Sequence, residues 1–155
     1  MTLLFDIEIT NQQTTLAVDE ARICRAVEMI LEDAAIREAQ ISVAVVDDPT
    51  IHTLNRQFLN HDEPTDVLSF VLEQSDGSLE GEVIVSADTA QATAPQYGWE
   101  PASELLLYVI HGTLHLVGGL DATPEERADM RARERTYLGR FGLEPRYDDS
   151  GKEVS

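Results

Sequence analysis

The chain has 155 residues, enough for one domain with a sizeable core. Acidic residues outnumber basic ones 29 to 11, a formal charge of -18 with the four histidines neutral. Such a surface repels polyanions, so free nucleic acid is a poor default partner: its affinity comes mostly from Lys and Arg at phosphates. No apolar run approaches the roughly 18–20 residues that span a bilayer. The opening MTLLFDIEIT lacks the basic start and apolar centre of a signal peptide. A cytoplasmic protein with no membrane partner is expected. Cys24 is the one cysteine, which excludes a disulfide framework, and it is expected to be a small buried hydrophobe.

Residues 3–10, LLFDIEIT, alternate and predict a strand. From residue 19 to about residue 37, Ile23, Ala26, Val27, Ile30, Leu31, Ala34 and Ala35 recur at helical spacing. ISVAVVDD, 41–48, is apolar and β-branched, as a central strand is. Pro49 then opens a helix carrying Ile51, Leu54, Phe58 and Leu59. A polar loop at 61–66 contains Pro64. Strands follow at 67–72 and 81–86, separated by the turn-rich EQSDGSLE. Ser86 or Asp88 caps a helix that Pro95 stops after Thr93. Ser103 is expected to cap the almost wholly apolar ELLLYVIHGTLHLV, and Gly118 and Gly119 end it. Thr123 and Glu126 form the capping box of a last helix, to about residue 140. The order β-α-β-α-β-β-α-α-α predicts a single α+β domain over 1–145, in which a mixed sheet of roughly four strands packs with about five helices. Residues 146–155 are expected to be a frayed polar tail.

HGTLHLVGGLDA, 111–122, places His111 and His115 four apart, on one face of a helix. Two ligands of one metal are held this way in zincins. The pair alone fits hydrogen-bonded core histidines equally well. Two further features favour metal: Gly118 and Gly119 allow a sharp reversal, and that reversal carries Asp121 back toward the helix end. His, His and Asp leave a coordination position open, as catalytic zinc sites do. Gly112 follows His111 where a zincin has its glutamate, which weakens a peptidase reading.

This stretch resembles the pattern H-G-x-L-H-L-x-G-Y-D-H of the YbeY endoribonucleases, bacterial rRNA maturation factors. LNRQFLNHDEPTDVLSF, 54–70, is similar to the family's L-N-x-x-Y-R-x-x-x-x-P-T-D-V-L-S-F, and GEVIVS, 81–86, to its G-D-I-V-I-S. The resemblance covers roughly residues 40–140. It implies an α+β fold, zinc on the histidines and single-strand-specific RNA cleavage in ribosome maturation. The family's ligand positions fall on His111, His115 and Asp121.

The third of these is His in the usual pattern. An Asp there still binds zinc, and also suits harder ions such as manganese. The family's arginine falls on Leu59, which removes a phosphate grip. His61 and Glu63 stand in the following loop where a lysine is expected, and His61 is more simply a solvated residue.

Asp66 is the candidate catalytic carboxylate. It would act as general base or orient a metal-binding histidine; a local Asx turn is the plain alternative. Glu82 could add a carboxylate to the same cleft but reads more simply as an outward strand residue. Arg127, Arg131 and Arg135 form the only basic stripe, open to RNA or a ribosomal protein but more simply a solvated face paired with Glu125, Asp129 and Glu134. The expectation is a metal-dependent endoribonuclease, with zinc, or manganese or another divalent ion, acting on rRNA or a ribosomal subunit reached through ribosomal proteins. An assembly factor with little nuclease activity and a hydrolase of another phosphoester are the alternatives.

Overall fold

In the computed structural model, which describes residues 3–61 and 65–145, four strands form one mixed sheet. They are β1 (Leu4–Asn11), β2 (Glu38–Val46), β3 (Val67–Ser75) and β4 (Ser78–Ser86), in the order β1-β2-β4-β3. β1, β2 and β4 run parallel, and β3 is antiparallel to β4. The two interior strands carry the β-branched runs because both their faces are covered. Val43, Val45, Val83 and Val85 face the main core, and Val46 and Ile84 face a smaller one.

α1 (Glu20–Asp33) and α4 (Pro101–Leu116) cover the main face. α2 (Asp48–Leu59) lies on the other, where Ile51 meets Val46, Leu68 and Ile84. α3 (Ala87–Thr93), capped by Ser86, continues into one turn of 3-10 helix, Ala94–Tyr97. α5 (Pro124–Gly139) opens on the capping box of Thr123 and Glu126. The α+β class, the element order and the mixed sheet thus match the sequence. No helix among the described residues is long and apolar enough to cross a membrane.

α4 anchors the domain. Leu105, Leu106, Val109, Ile110, Leu114 and Leu116 are each at most 2% exposed. Burying each stabilises the fold by about 1.5–3 kcal/mol. The helix is therefore fixed by packing, and its polar residues inherit that rigidity.

Four expectations are corrected. The first helix stops at Asp33, not near residue 37, because the chain reverses through Ala35 at φ 61°. The backbone N–H of Ile36 donates to Leu31 and that of Ala35 to Glu32, which closes the helix end, and β2 starts at Glu38. EQSDGSLE is mostly hairpin: β3 runs to Ser75, β4 starts at Ser78, and the turn needs only Asp76 and Gly77, the latter at φ 75°. α4 begins at Pro101 with Glu100 as N-cap, so Ser103 lies buried inside its first turn. Cys24 is half-buried rather than buried; its thiol donates to Glu28 at 3.3 Å, and partial burial together with that carboxylate pushes its pKa up. The tail 146–155 and Glu63 lie outside the described residues.

Candidate metal centre

The centre is built where α4 lies unusually close to the sheet. A Cβ at Gly112 would sit 2.7 Å from Val83 Cγ1 and 2.9 Å from Val67 Cγ2. Only glycine fits, and that is why no glutamate follows His111. Ser69 Oγ donates to the Gly112 carbonyl at 2.9 Å, locking β3 to the helix at the same point.

His111 is buried and His115 half-buried on the same face of α4. Their rings meet edge-on with centroids 4.6 Å apart. The two Nε2 atoms are 3.0 Å apart. Asp121 Oδ2 lies 3.2 Å from His115 Nε2 and 3.4 Å from His111 Nε2. The reversal between them is a Schellman motif: Gly119 N–H donates to the Leu114 carbonyl at 2.8 Å and Gly118 N–H to the His115 carbonyl at 3.1 Å. Gly118 adopts φ 99°, which a side chain resists. A Cβ at Gly119 would meet the Leu114 carbonyl oxygen at 2.8 Å.

Both Nδ1 atoms are engaged elsewhere. That of His115 lies 2.9 Å from the Gly119 carbonyl oxygen, which only accepts, so Nδ1 carries the proton. That of His111 lies 2.7 Å from Oε2 of Glu134, a fully buried residue of α5. As a carboxylate Glu134 also only accepts. In the neutral rings both Nε2 atoms are then bare. Two imidazole lone pairs and a carboxylate oxygen face one another at 3.0–3.4 Å, an arrangement that calls for a cation between them. The spacing also suits a tetrahedral ion with bonds of about 2.0–2.1 Å, whose ligand atoms stand roughly 3.3 Å apart. Among the described residues these three side chains form a group able to hold a metal ion.

Glu134 escaped the sequence reading. The signal was present: Met130, Glu134, Tyr137 and Leu138 share the buried stripe of α5, so an acid sits where an apolar residue is expected. The basic stripe is corrected for the same reason. Arg131 is not solvated; it is 6% exposed and donates to Glu134 Oε1 at 3.4 Å. Arg127 donates to the Ala122 carbonyl at 3.0 Å, next to Asp121, and Arg135 is exposed.

Asp66 immediately precedes β3, the strand that grips Gly112. Its Oδ1 accepts from Val67 N–H at 2.8 Å and from Thr65 Oγ at 3.3 Å. Histidine orientation is supplied by Glu134 and Gly119. Asp66 and Glu104 also bear on Tyr108 of α4, whose phenol is pushed well above its usual range by burial first and by these two negative charges next. Glu82 alternates with Val83 and so lies on the sheet face away from Gly112, as an outward strand residue. Leu59 is 45% exposed at the end of α2, and His61 is exposed.

A family profile described as Endoribonuclease YbeY matches residues 8–142. A Rhodopirellula baltica protein named Endoribonuclease YbeY is 48% identical over 106 residues, which are 67% of this chain and 55% of the relative. A Pelotomaculum thermopropionicum protein of the same name is 38% identical over 146 residues, 87% of this chain and 96% of the relative. A Thermotoga maritima protein of known solution structure is 28% identical, with a TM-score of 0.61 over 95% of this chain and 99% of its own. The profile match runs from β1 past the end of α5, and the three sequence blocks that suggested the resemblance meet in space at Gly112, through Val67, Ser69 and Val83. The chain belongs to the YbeY endoribonuclease family.

Proposed function

We propose that this chain is a metal-dependent endoribonuclease, specific for single strands, that acts in rRNA maturation and ribosome assembly in the cytoplasm. The observation that carries the reading is the convergence of the His111 and His115 Nε2 atoms with Asp121 Oδ2, each Nδ1 being held by another group. Family membership supports the RNA substrate.

A divalent ion at this site supplies Lewis acidity toward a phosphate oxygen. Zinc suits the two imidazoles, and the carboxylate of Asp121 makes manganese an acceptable alternative. Asp66 is assigned the proton from the attacking water or ribose 2′-hydroxyl, since it immediately precedes the strand whose Val67 and Ser69 meet Gly112, next to His111. His111 and His115 keep their rings fixed on a helix that packing holds still, so little reorganisation accompanies the reaction.

The test is cleavage of a single-stranded RNA and of its duplex, with metal, with chelator and after metal is restored. Cutting confined to the single strand, lost with chelator and regained with zinc, is expected. Cleavage that survives chelation sinks the metal reading.

A second reading has its own support. The charge of -18 and the exposed Leu59 at the family's arginine position both weaken a grip on phosphate. In that reading the chain is an assembly factor with little nuclease activity, bound to the ribosomal subunit through basic ribosomal proteins that offset its charge. Metal-loaded protein that binds the subunit and leaves RNA intact favours it.

A further inference from the structure

Glu134 and Arg131 are charged side chains inside a helix, and each is almost completely buried. Burying such a pair is poor value for stability alone, because desolvation offsets most of the attraction. Their placement has a different consequence. Glu134 gives each of its two oxygens a different partner: Oε2 meets His111 Nδ1 at 2.7 Å, and Oε1 meets the Arg131 guanidinium at 3.4 Å.

We infer that the Arg131–Glu134 pair decides which nitrogen of His111 is free to bind metal. Arg131 only donates, so it requires an acceptor oxygen on its side of residue 134. The carboxylate, alone among side chains of this shape, offers acceptors on both sides. The proton of His111 is thereby kept on Nδ1, and Nε2 is left bare toward Asp121 and His115. Glu134 is a positioning residue, and Arg131 acts through it. This inference rests on the metal reading of the site for its purpose, but the tautomer it specifies exists in the metal-free protein as well.

The isosteric variant Glu134→Gln separates the roles. With Arg131 present, the amide oxygen turns to the guanidinium and the NH2 turns to His111. An NH2 donates, so His111 must accept at Nδ1 and carry its proton on Nε2, the ligand position. The double variant Arg131→Met, Glu134→Gln releases the amide. Its oxygen can then face Nδ1 and restore the original tautomer, while Met fills the space left by the arginine stem.

Three proteins are compared, wild type, E134Q and the double variant, with urea unfolding to confirm that each is folded. Imidazole nitrogen shifts in the metal-free proteins, at a pH where both rings are neutral, report the tautomer. Zinc competition against a chromogenic chelator reports affinity. The expected result is an Nδ1–H tautomer for His111 in wild type, Nε2–H in E134Q, and Nδ1–H again in the double variant. Zinc affinity should fall about 10–100-fold in E134Q, the usual cost of losing such a partner, and should recover in the double variant. An E134Q protein with unchanged tautomer and affinity overturns the inference, as does a double variant no better than E134Q. Wild-type protein that takes up no zinc overturns the metal reading, and with it the purpose assigned to the pair. Zinc uptake by wild type that is equal in E134Q overturns the inference alone.

Discussion

The carbonyl oxygen of Gly119 accepts a hydrogen bond from Nδ1 of His115, 2.9 Å away. The helix end and the candidate metal centre are therefore one structure. The turn that terminates α4 also fixes the ring of its last histidine and returns Asp121 to the helix end.

That turn recurs among the described residues, and two of its copies give opposite predictions. Gly118 holds φ 99° in one and Ala35 holds φ 61° in the other. Gly118→Ala should destabilise by about 1–2 kcal/mol, the cost of a left-handed non-glycine residue, and should weaken zinc binding. Ala35→Gly should stabilise by about 0.5–1 kcal/mol, the same strain relieved less the added freedom of the unfolded chain. Urea unfolding measures both, and equal signs for the two variants would refute the assignment.

Gly112→Ala should destabilise by about 1–3 kcal/mol through overpacking, despite the better helix propensity of alanine. The new methyl collides with Val83 and Val67. Gly139→Ala, at the end of α5 with nothing within 4 Å, is the control and should be neutral or slightly stabilising. Thermal or urea midpoints decide the matter; an unharmed Gly112→Ala protein means that α4 is not pressed against the sheet.

Asp121→His should keep metal binding and move the preference from manganese toward zinc, because imidazole replaces a hard oxygen donor. Its companion, His115→Ala, should lose most of the bound metal. Competition between the two ions, followed by metal analysis, measures the first. An unchanged preference would show that Asp121 does not touch the ion.

Leu59→Arg should strengthen RNA binding and cleavage. Leu59 is 45% exposed at the last turn of α2, so the longer side chain has room. One added phosphate contact should steepen the salt dependence of single-strand binding by about 0.7 in log–log slope. Binding isotherms at several salt concentrations give that slope, and no change means that this position does not face phosphate.

The element order and the cluster of His111, His115 and Asp121 were legible in the sequence because both rest on local signals. Period-two and helical spacing mark the strands and helices, Thr123 and Glu126 form a cap within one turn, and His111 and His115 share a face by spacing alone. What escaped depends on contacts distant in sequence. Ala35 is a strong helix former that tertiary packing forces into a left-handed turn, so the first helix looked too long. Glu73, Gln74 and Ser75 are polar because they end an edge strand, so EQSDGSLE passes for a loop. Arg131 and Glu134 have the composition of a solvated face, and only the approach of α5 to α4 turns them inward.

α5 closes the molecule at two places. Glu134 reaches back to His111, and the Tyr137 hydroxyl donates to Asp33 of α1 at 2.8 Å, across 104 residues of sequence. Chains are made from the N-terminus at about 5–20 residues per second. Both histidines therefore emerge before the carboxylate that orients one of them, and α1 waits almost the whole of synthesis for its tyrosine. A chain still being made carries both histidines of α4 before it has the carboxylate that meets His111. If the pair acts as inferred, competence at this centre is a late event in the life of each molecule, timed by the arrival of its last helix.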